Sequence, residues 1–340
     1  MNAQKQDACG ADDAYSGGMK ATDILLPAPM TDAVIAPLKA EGIPLHALWE
    51  QPDPERFLAE QGERIRGVAT STLYGRLGAE LIEKLPNLEV IASFGVGYDN
   101  VDVAAAAARD VMVTNTPGVL DDEVADFTIG LLIATLRQIP QADRFLRDGL
   151  WTERAFPLSP TLRGRTIGIV GLGSIGKAIA RRLEGFGVDI AYHGRHRQPG
   201  VGYPYYPSAT ELATACDVLI AILPGGAATR HIIDAGVLKA LGPEGVFINV
   251  ARGSVVDQDA LIEALENRTI LAAGLDVYED EPNVPAALLA LPGVVLLPHI
   301  GSASAHTRAA MGRLVADNLI AWFRDGRALT PVPETAHLQG

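Results

Sequence analysis

The sequence predicts an α/β protein of two doubly wound parallel-sheet domains, the second inserted into the first. Three observations carry that expectation. Short apolar, β-branched stretches alternate with helix-like stretches along most of the 340 residues, the rhythm of parallel sheets. A G-x-G-x-x-G turn at Gly171, Gly173 and Gly176 lies between a strand pattern and a helix pattern and opens a second α/β block. A last helical pattern, about Ala305 to Arg324, follows that block and would carry the chain back to the first.

In chain order, residues 1–20 are polar and lack an apolar run. A disordered extension is expected there, neither signal peptide nor anchor. Strands are then expected at Asp23–Leu26, Gly67–Thr70, Leu88–Ser93 and Val111–Thr114, with helices at Ala33–Glu41, Ala79–Leu85 and Val103–Ala108 between them. Asp121 to Arg137 reads as a long apolar-rich helix with Asp121, Asp122 and Glu123 in its first turn, where acidic groups suit the helix dipole. Residues 149–160 read as a loop rich in aromatics and proline. Further strands follow at Ile167–Val170, Val188–Tyr192, Asp217–Leu223, Val246–Val250, Ala272–Val277 and Val294–Leu297. The expected division is a discontinuous, flavodoxin-like substrate domain (21–118 with 306–335) and a Rossmann domain inserted into it (119–305).

The glycine turn, Gly171-Leu172-Gly173-Ser174-Ile175-Gly176, predicts a dinucleotide site. Gly171 permits the tight turn, Gly173 lets backbone approach a pyrophosphate, and Gly176 lets the helix pack closely. The free N–H groups of the helix N-terminus face the phosphates. Cofactor choice is written at the end of the following strand. An acid binding the ribose 2′-OH is expected about twenty residues on, yet Gly194 stands there, followed by Arg195-His196-Arg197. Guanidinium groups bind a 2′-phosphate, whereas a carboxylate would repel it. NADPH/NADP+ is therefore the expected cofactor, with NADH the weaker alternative.

Composition is that of an ordinary globular chain, 48% apolar and 20% charged, which excludes disorder and fibrous repeats. A net charge of −13 argues against nucleic acid as a partner. Two cysteines give no disulfide framework, and neither Cys nor His spacing suggests a metal. No apolar run reaches transmembrane length. No membrane is expected, and the cytoplasm is the expected compartment.

Ligands of open α/β sheets bind beyond the carboxyl ends of the strands. Arg252 follows one such strand. Asp276 and then Glu281 follow the next, and His299 follows the last. Together these suit hydride transfer to a 2-oxo acid. Arg252 offers a planar bidentate cation for the substrate carboxylate. His299 can give a proton to the carbonyl oxygen near neutral pH, and a carboxylate at Glu281 would orient the ring and favour its imidazolium form. Alone, each has a bland reading: a surface salt bridge, a structural histidine, a solvated acidic turn. Their joint placement downstream of a dinucleotide turn favours the site.

These residues lie in segments that resemble the D-isomer-specific 2-hydroxyacid dehydrogenases from about Asp23 to about Gly326. The matching stretches are Phe94-Gly-Val-Gly-Tyr-Asp-Asn-Val-Asp102, Val113-Thr-Asn-Thr-Pro-Gly118, Gly168–Gly176, Asn249-Val-Ala-Arg-Gly-Ser-Val-Val-Asp257, Gly274-Leu-Asp-Val-Tyr-Glu-Asp-Glu-Pro282 and Pro298-His-Ile-Gly301. The resemblance implies that Arg252, Glu281 and His299 are the catalytic residues. It also implies cofactor contacts from Leu223, Pro224, Thr229, Val250, Ala251, Asp276, His299 and Gly301. The substrate would be held by Val96 and Gly97 of the G-V-G turn together with Phe94, Arg252 and Trp151. Homodimers joined through the nucleotide domains are implied as well. Within the family, the Arg195 region and Leu223–Arg230 look most like NADPH-dependent glyoxylate/hydroxypyruvate reductases, and Glu281 argues against formate dehydrogenases, which carry Gln. The alternatives are a reductase of 2-ketogluconate or bulkier 2-oxo acids, a phosphite-oxidising relative, and a non-catalytic nucleotide-sensing module. Leu73, Tyr74, Phe94 and Trp151 would set the pocket's size.

Overall fold

A computed structural model describes residues 22–71 and 75–339. The expected extension at 1–20 and the pocket positions Leu73 and Tyr74 lie outside the described residues. Among the described residues, twelve strands form two all-parallel sheets. The first contains β1 (Asp23–Leu26), β2 (Leu45–Ala47), β3 (Ile65–Ser71), β4 (Val90–Phe94) and β5 (Met112–Thr114), in the order β2-β1-β3-β4-β5. The second contains β6 (Thr166–Val170), β7 (Asp189–His193), β8 (Tyr205–Tyr206), β9 (Val218–Ala221), β10 (Val246–Asn249), β11 (Ala272–Leu275) and β12 (Val294–Leu296). Its order is β8-β7-β6-β9-β10-β11-β12. Each sheet reverses its winding once, between β1 and β3 and between β6 and β9, the crevices where such folds take ligands.

Both sheets are covered on both faces, which is why their strands read as unbroken apolar runs. Ile24 and Leu26 enter one core with Val34, Leu38, Met311, Val315 and Leu319. Leu25, between them, enters the opposite core with Ile65, Val68, Ile91 and Val113. The same period-2 split sends Val246 and Ile248 to one face of the second sheet and Phe247 to the other.

Two helices make the crossings. Asp121–Arg137 places Leu131, Leu132 and Leu136 in the core of the second sheet, beside Ile167 and Ile169. Ala305–Asp325, capped by the Ser304 hydroxyl, returns to the first sheet and lies close on the helix Asp32–Ala40. A Cβ at Gly312 would sit 2.7 Å from that of Ala33. Glu123 ties the crossings together, accepting hydrogen bonds from the hydroxyls of Ser304 (2.8 Å) and Thr307 (3.0 Å).

The expected strands all form, with ends shifted by a few residues. β4 starts at Val90 rather than Leu88 and runs through Phe94. The sequence reading did not anticipate β2, β8 or the helices Pro54–Gln61, Ile139–Arg147, Ala209–Thr214, Ala235–Leu241, Gln258–Glu266 and Ala286–Leu289. Within the expected loop at 149–160, Leu150–Thr152 makes a single 3₁₀ turn. Among the described residues no helix is long and apolar enough to cross a membrane.

Candidate active site

Strand register puts the suspected groups on one rim. Asn249 pairs with Leu275, and Leu275 with Leu296, so β10, β11 and β12 end level. Arg252, Asp276, Glu281 and His299 therefore leave the sheet together despite their separation in sequence. His299 Nδ1 lies 2.7 Å from Glu281 Oε2, and Glu281 Oε1 also accepts the Tyr278 N–H at 3.0 Å. Burial would raise the Glu281 pKa. The hydrogen bond and charge of His299, the Tyr278 N–H and the positive charge of Arg252 outweigh it, holding the carboxyl below its usual range. At neutral pH Glu281 is thus a carboxylate, and the ring presents Nε2 away from it.

Asp276, one of the cofactor contacts that the resemblance implies, is buried and faces its own chain. Its two carboxylate oxygens accept the N–H groups of Ile300 at 2.7 Å and Gly301 at 2.8 Å. Its carbonyl accepts the His299 N–H at 2.8 Å. These bonds hold the turn carrying His299. Burial pushes its pKa up to about 6, against the opposing pull of those N–H groups and of His299. Gly301 packs tightly here, since a Cβ would lie 3.0 Å from Asp276 Oδ2.

Arg252 reaches from the second sheet toward the G-V-G turn after β4. Its Nε donates to Asp99 Oδ1 at 2.9 Å and its Nη1 to the Ala251 carbonyl at 2.7 Å. A Cβ at Gly97 would collide with Nη2, so glycine is what lets the guanidinium close on this turn. The turn is shaped by Thr116 N–H to the Gly95 carbonyl (2.9 Å) and Asn115 Nδ2 to the Val96 carbonyl (2.8 Å). The backbone N–H groups of Val96 and Gly97 have no acceptor among the described residues. Free N–H groups beside a guanidinium make an anion site. Phe94, at the end of β4, is buried beneath Arg308, whose guanidinium carbon lies 5.5 Å from its ring centre. Trp151 stands 70% exposed on its 3₁₀ turn, outside every interaction of the His299 cluster.

The glycine turn fits a dinucleotide. Gly171 has φ +102°, and a Cβ there would strike the Ile222 carbonyl; one at Gly176 would strike the Gly171 carbonyl. At Gly173 a Cβ would meet nothing within 4 Å, leaving open space at the N-terminus of the helix Ser174–Glu184. Leu172 is buried, with Ile175 packed beside it. The turn after β7, Gly194 to Arg197, is fastened beside this cradle by Gln198. Gln198 Nε2 donates to the Leu172 carbonyl and its N–H to Tyr192 Oη, both at 2.8 Å. Arg195, His196 and Arg197 are exposed, and neither arginine has an ion-pair partner among the described residues. Leu223 and Pro224 follow β9 on the same rim. Thr229 Oγ1 donates to the Pro224 carbonyl at 2.7 Å, closing that loop. Val250 and Ala251 are buried at the end of β10.

Asp99 and Gln198 escaped the sequence reading, although Asp99 lies inside a quoted motif. Nor did that reading find partners for the other histidines. His46 Nε2 bonds Asp23 Oδ2 at 2.8 Å and His231 Nε2 bonds Glu279 Oε1 at 3.1 Å. A cavity of about 600 Å³ lies at the opposite, amino-end rim of the first sheet. Its cations are engaged: Arg64 with Asp23, Arg66 with Glu89, Arg109 with the carbonyls of Leu85 and Pro86. No group of three or more potential metal ligands occurs among the described residues.

The chain is similar to known proteins along most of its length. Residues 129–301 match the family profile described as D-isomer specific 2-hydroxyacid dehydrogenase, NAD binding domain. An NADPH-dependent glyoxylate/hydroxypyruvate reductase from Sinorhizobium meliloti, solved with NADP and malonate, is similar at 52% identity and a TM-score of 0.87. The alignment covers 93% of this chain and 98% of that one. The hydroxyphenylpyruvate reductase of Plectranthus scutellarioides is 44% identical over 92% of this chain and all of its own length. The 2-ketogluconate reductase of Gluconobacter oxydans is 44% identical over 79% of this chain and 86% of its own.

Proposed function

The chain belongs to the D-isomer specific 2-hydroxyacid dehydrogenase family, and from that membership we propose that it is an NADPH-preferring reductase of small 2-oxo acids. Glyoxylate and hydroxypyruvate are the substrates proposed, and D-2-hydroxy acids the products. The observation carrying this reading is the 2.7 Å bond between His299 and Glu281 on the rim that also bears Arg252. In the same reading 119–305 binds the cofactor and 21–118 with 306–335 holds substrate. The protein acts in the cytoplasm as a homodimer joined through the nucleotide domains.

When bound, the reduced nicotinamide supplies the hydride. The chain's own groups do the rest. Arg252 and the N–H groups of Val96 and Gly97 hold the substrate carboxylate and orient the carbonyl. Negative charge grows on the carbonyl oxygen during reduction, and His299 Nε2 gives it a proton. Glu281 accepts the Nδ1 hydrogen, so the ring keeps one orientation. Asp276 holds the backbone of that histidine. Gly173, the helix N-terminus beyond it and Arg195 with Arg197 receive the pyrophosphate and the 2′-phosphate.

The test is a steady-state panel of glyoxylate, hydroxypyruvate, 2-ketogluconate and hydroxyphenylpyruvate, each with NADPH and with NADH. The highest kcat/KM is expected for glyoxylate or hydroxypyruvate with NADPH. A best substrate among the two bulkier acids would move the assignment to them, consistent with the names of two relatives. Tight NADPH binding without turnover of any acid would replace the enzyme with a nucleotide-sensing module.

A further inference from the structure

The guanidinium of Arg252 is fixed from two sides. Nη1 is held by the carbonyl of its neighbour Ala251, and Nε by Asp99, in the turn that follows β4 of the other sheet. Nη2 has no acceptor among the described residues and lies over Gly97. Gly225 lines the same contact, where a Cβ would stand 3.1 Å from Arg252 Cγ and 3.5 Å from Asp99 Oδ2. Glycines on both sides thus admit this pair across the cleft.

We propose that Asp99 is the positioning residue for Arg252, fixing Nε so that Nη2 stays over Gly97, where it and the N–H groups of Val96 and Gly97 can donate to one carboxylate. The inference rests on the reading of Arg252 as substrate anchor. An arginine side chain has many rotamers, and one anchored only by its neighbour's carbonyl would spread its donors over several directions. A second bond at Nε selects one of them. Because Asp99 follows β4 and Arg252 follows β10, that direction exists only when the two rims meet, and the anchor is aligned as the cleft is formed. A carboxylate beside an anion site opposes the substrate's charge. Asp99 is 38% exposed, so water screens that repulsion while the hydrogen bond persists.

The experiment compares Asp99→Ala with Asp99→Asn, whose amide oxygen still accepts the Nε hydrogen. Affinity for oxamate, an oxo acid isostere that is not reduced, is measured calorimetrically on the NADPH-loaded protein, alongside kcat and KM for glyoxylate. Asp99→Ala is expected to weaken oxamate and raise the glyoxylate KM by about tenfold or more. NADPH affinity and Tm should stay near wild type, and Asp99→Asn should recover to within about threefold. Unchanged oxamate affinity in Asp99→Ala would overturn the proposal, as would an equal loss in Asp99→Asn or a parallel loss of NADPH binding. Wild-type protein that binds oxamate but turns over no acid would defeat the proposed reaction alone, with the oxamate comparison still deciding Asp99. Wild type that binds no oxamate would defeat both.

Discussion

His299 adopts a left-handed backbone, φ +54°, a conformation costing a non-glycine residue about 1 kcal/mol or more. The bonds from its N–H and the next two to Asp276 hold it there. The strain is located where Nδ1 must meet Glu281. His299→Ala should therefore lower kcat by about a hundredfold or more, the usual worth of a positioned proton donor, with NADPH affinity nearly unchanged by fluorescence titration. An unaltered kcat would remove His299 from the chemistry. Asp276 makes a separate statement about stability. Its pKa is raised from 3.8 to about 6, so between those values the folded chain holds a proton that the unfolded chain has released. This group's contribution to stability then falls as pH rises from about 4 to about 6. Asp276→Asn removes that dependence, and urea unfolding of both proteins across this range should show the wild type losing ground to the variant with rising pH. Parallel curves would mean the carboxyl does not carry the proton. Residue types were legible at this scale, since Arg252, Glu281 and His299 announce charge, base and proton donor. Asp99 was not, because its partner stands 153 positions away and an aspartate in a turn has many bland uses.

The strands that the sequence revealed are those whose central residues are buried and mostly apolar. β2 and β8 were missed for the converse reason: neither contains a buried residue, both lie at sheet edges, and at three and two residues they are too short to establish a period. Short edge strands are read from their neighbours, not from themselves. Several unforeseen helices begin with side-chain caps (Asp53, Ser208, Asp234 and Asp257), which were readable signals. The turn after β7 mixes both cases. Its basic residues were plain, but the staple through Gln198 to Leu172 required the fold. That staple places two cations, without carboxylate partners among the described residues, beside the glycine cradle. Arg195→Ala should accordingly weaken NADPH by about tenfold while changing NADH by less than about twofold, the difference expected when one charged phosphate contact is lost. Equal losses for both cofactors, measured as KM at saturating glyoxylate, would show that the guanidinium does not meet a 2′-phosphate.

At the scale of the molecule, the chain crosses between sheets twice, and Glu123 binds the two crossings through Ser304 and Thr307. The lobes thus share one tethered hinge region, with the substrate and cofactor rims opposed above it. The helix Ile139–Arg147, just beyond one crossing, has no buried residue, yet it exposes Ile139 and Leu146. The following turn and loop expose Trp151 and, completely, Leu158. Each such side chain gains about 1.5–3 kcal/mol on full burial, and this strip of exposed apolar side chains along one segment of the chain points to an association surface. A second copy of this chain suits it, because a two-fold contact uses the same strip twice and the segment adjoins the nucleotide-binding sheet. Analytical ultracentrifugation at micromolar concentration should therefore give a dimer. Leu146→Glu with Leu158→Glu puts like charges into that contact, where the desolvation of unpaired carboxylates is costly. The double variant should sediment as a folded monomer with wild-type Tm within a few degrees. A wild-type monomer, or a double variant that remains dimeric, would mean that this strip is not where two copies meet.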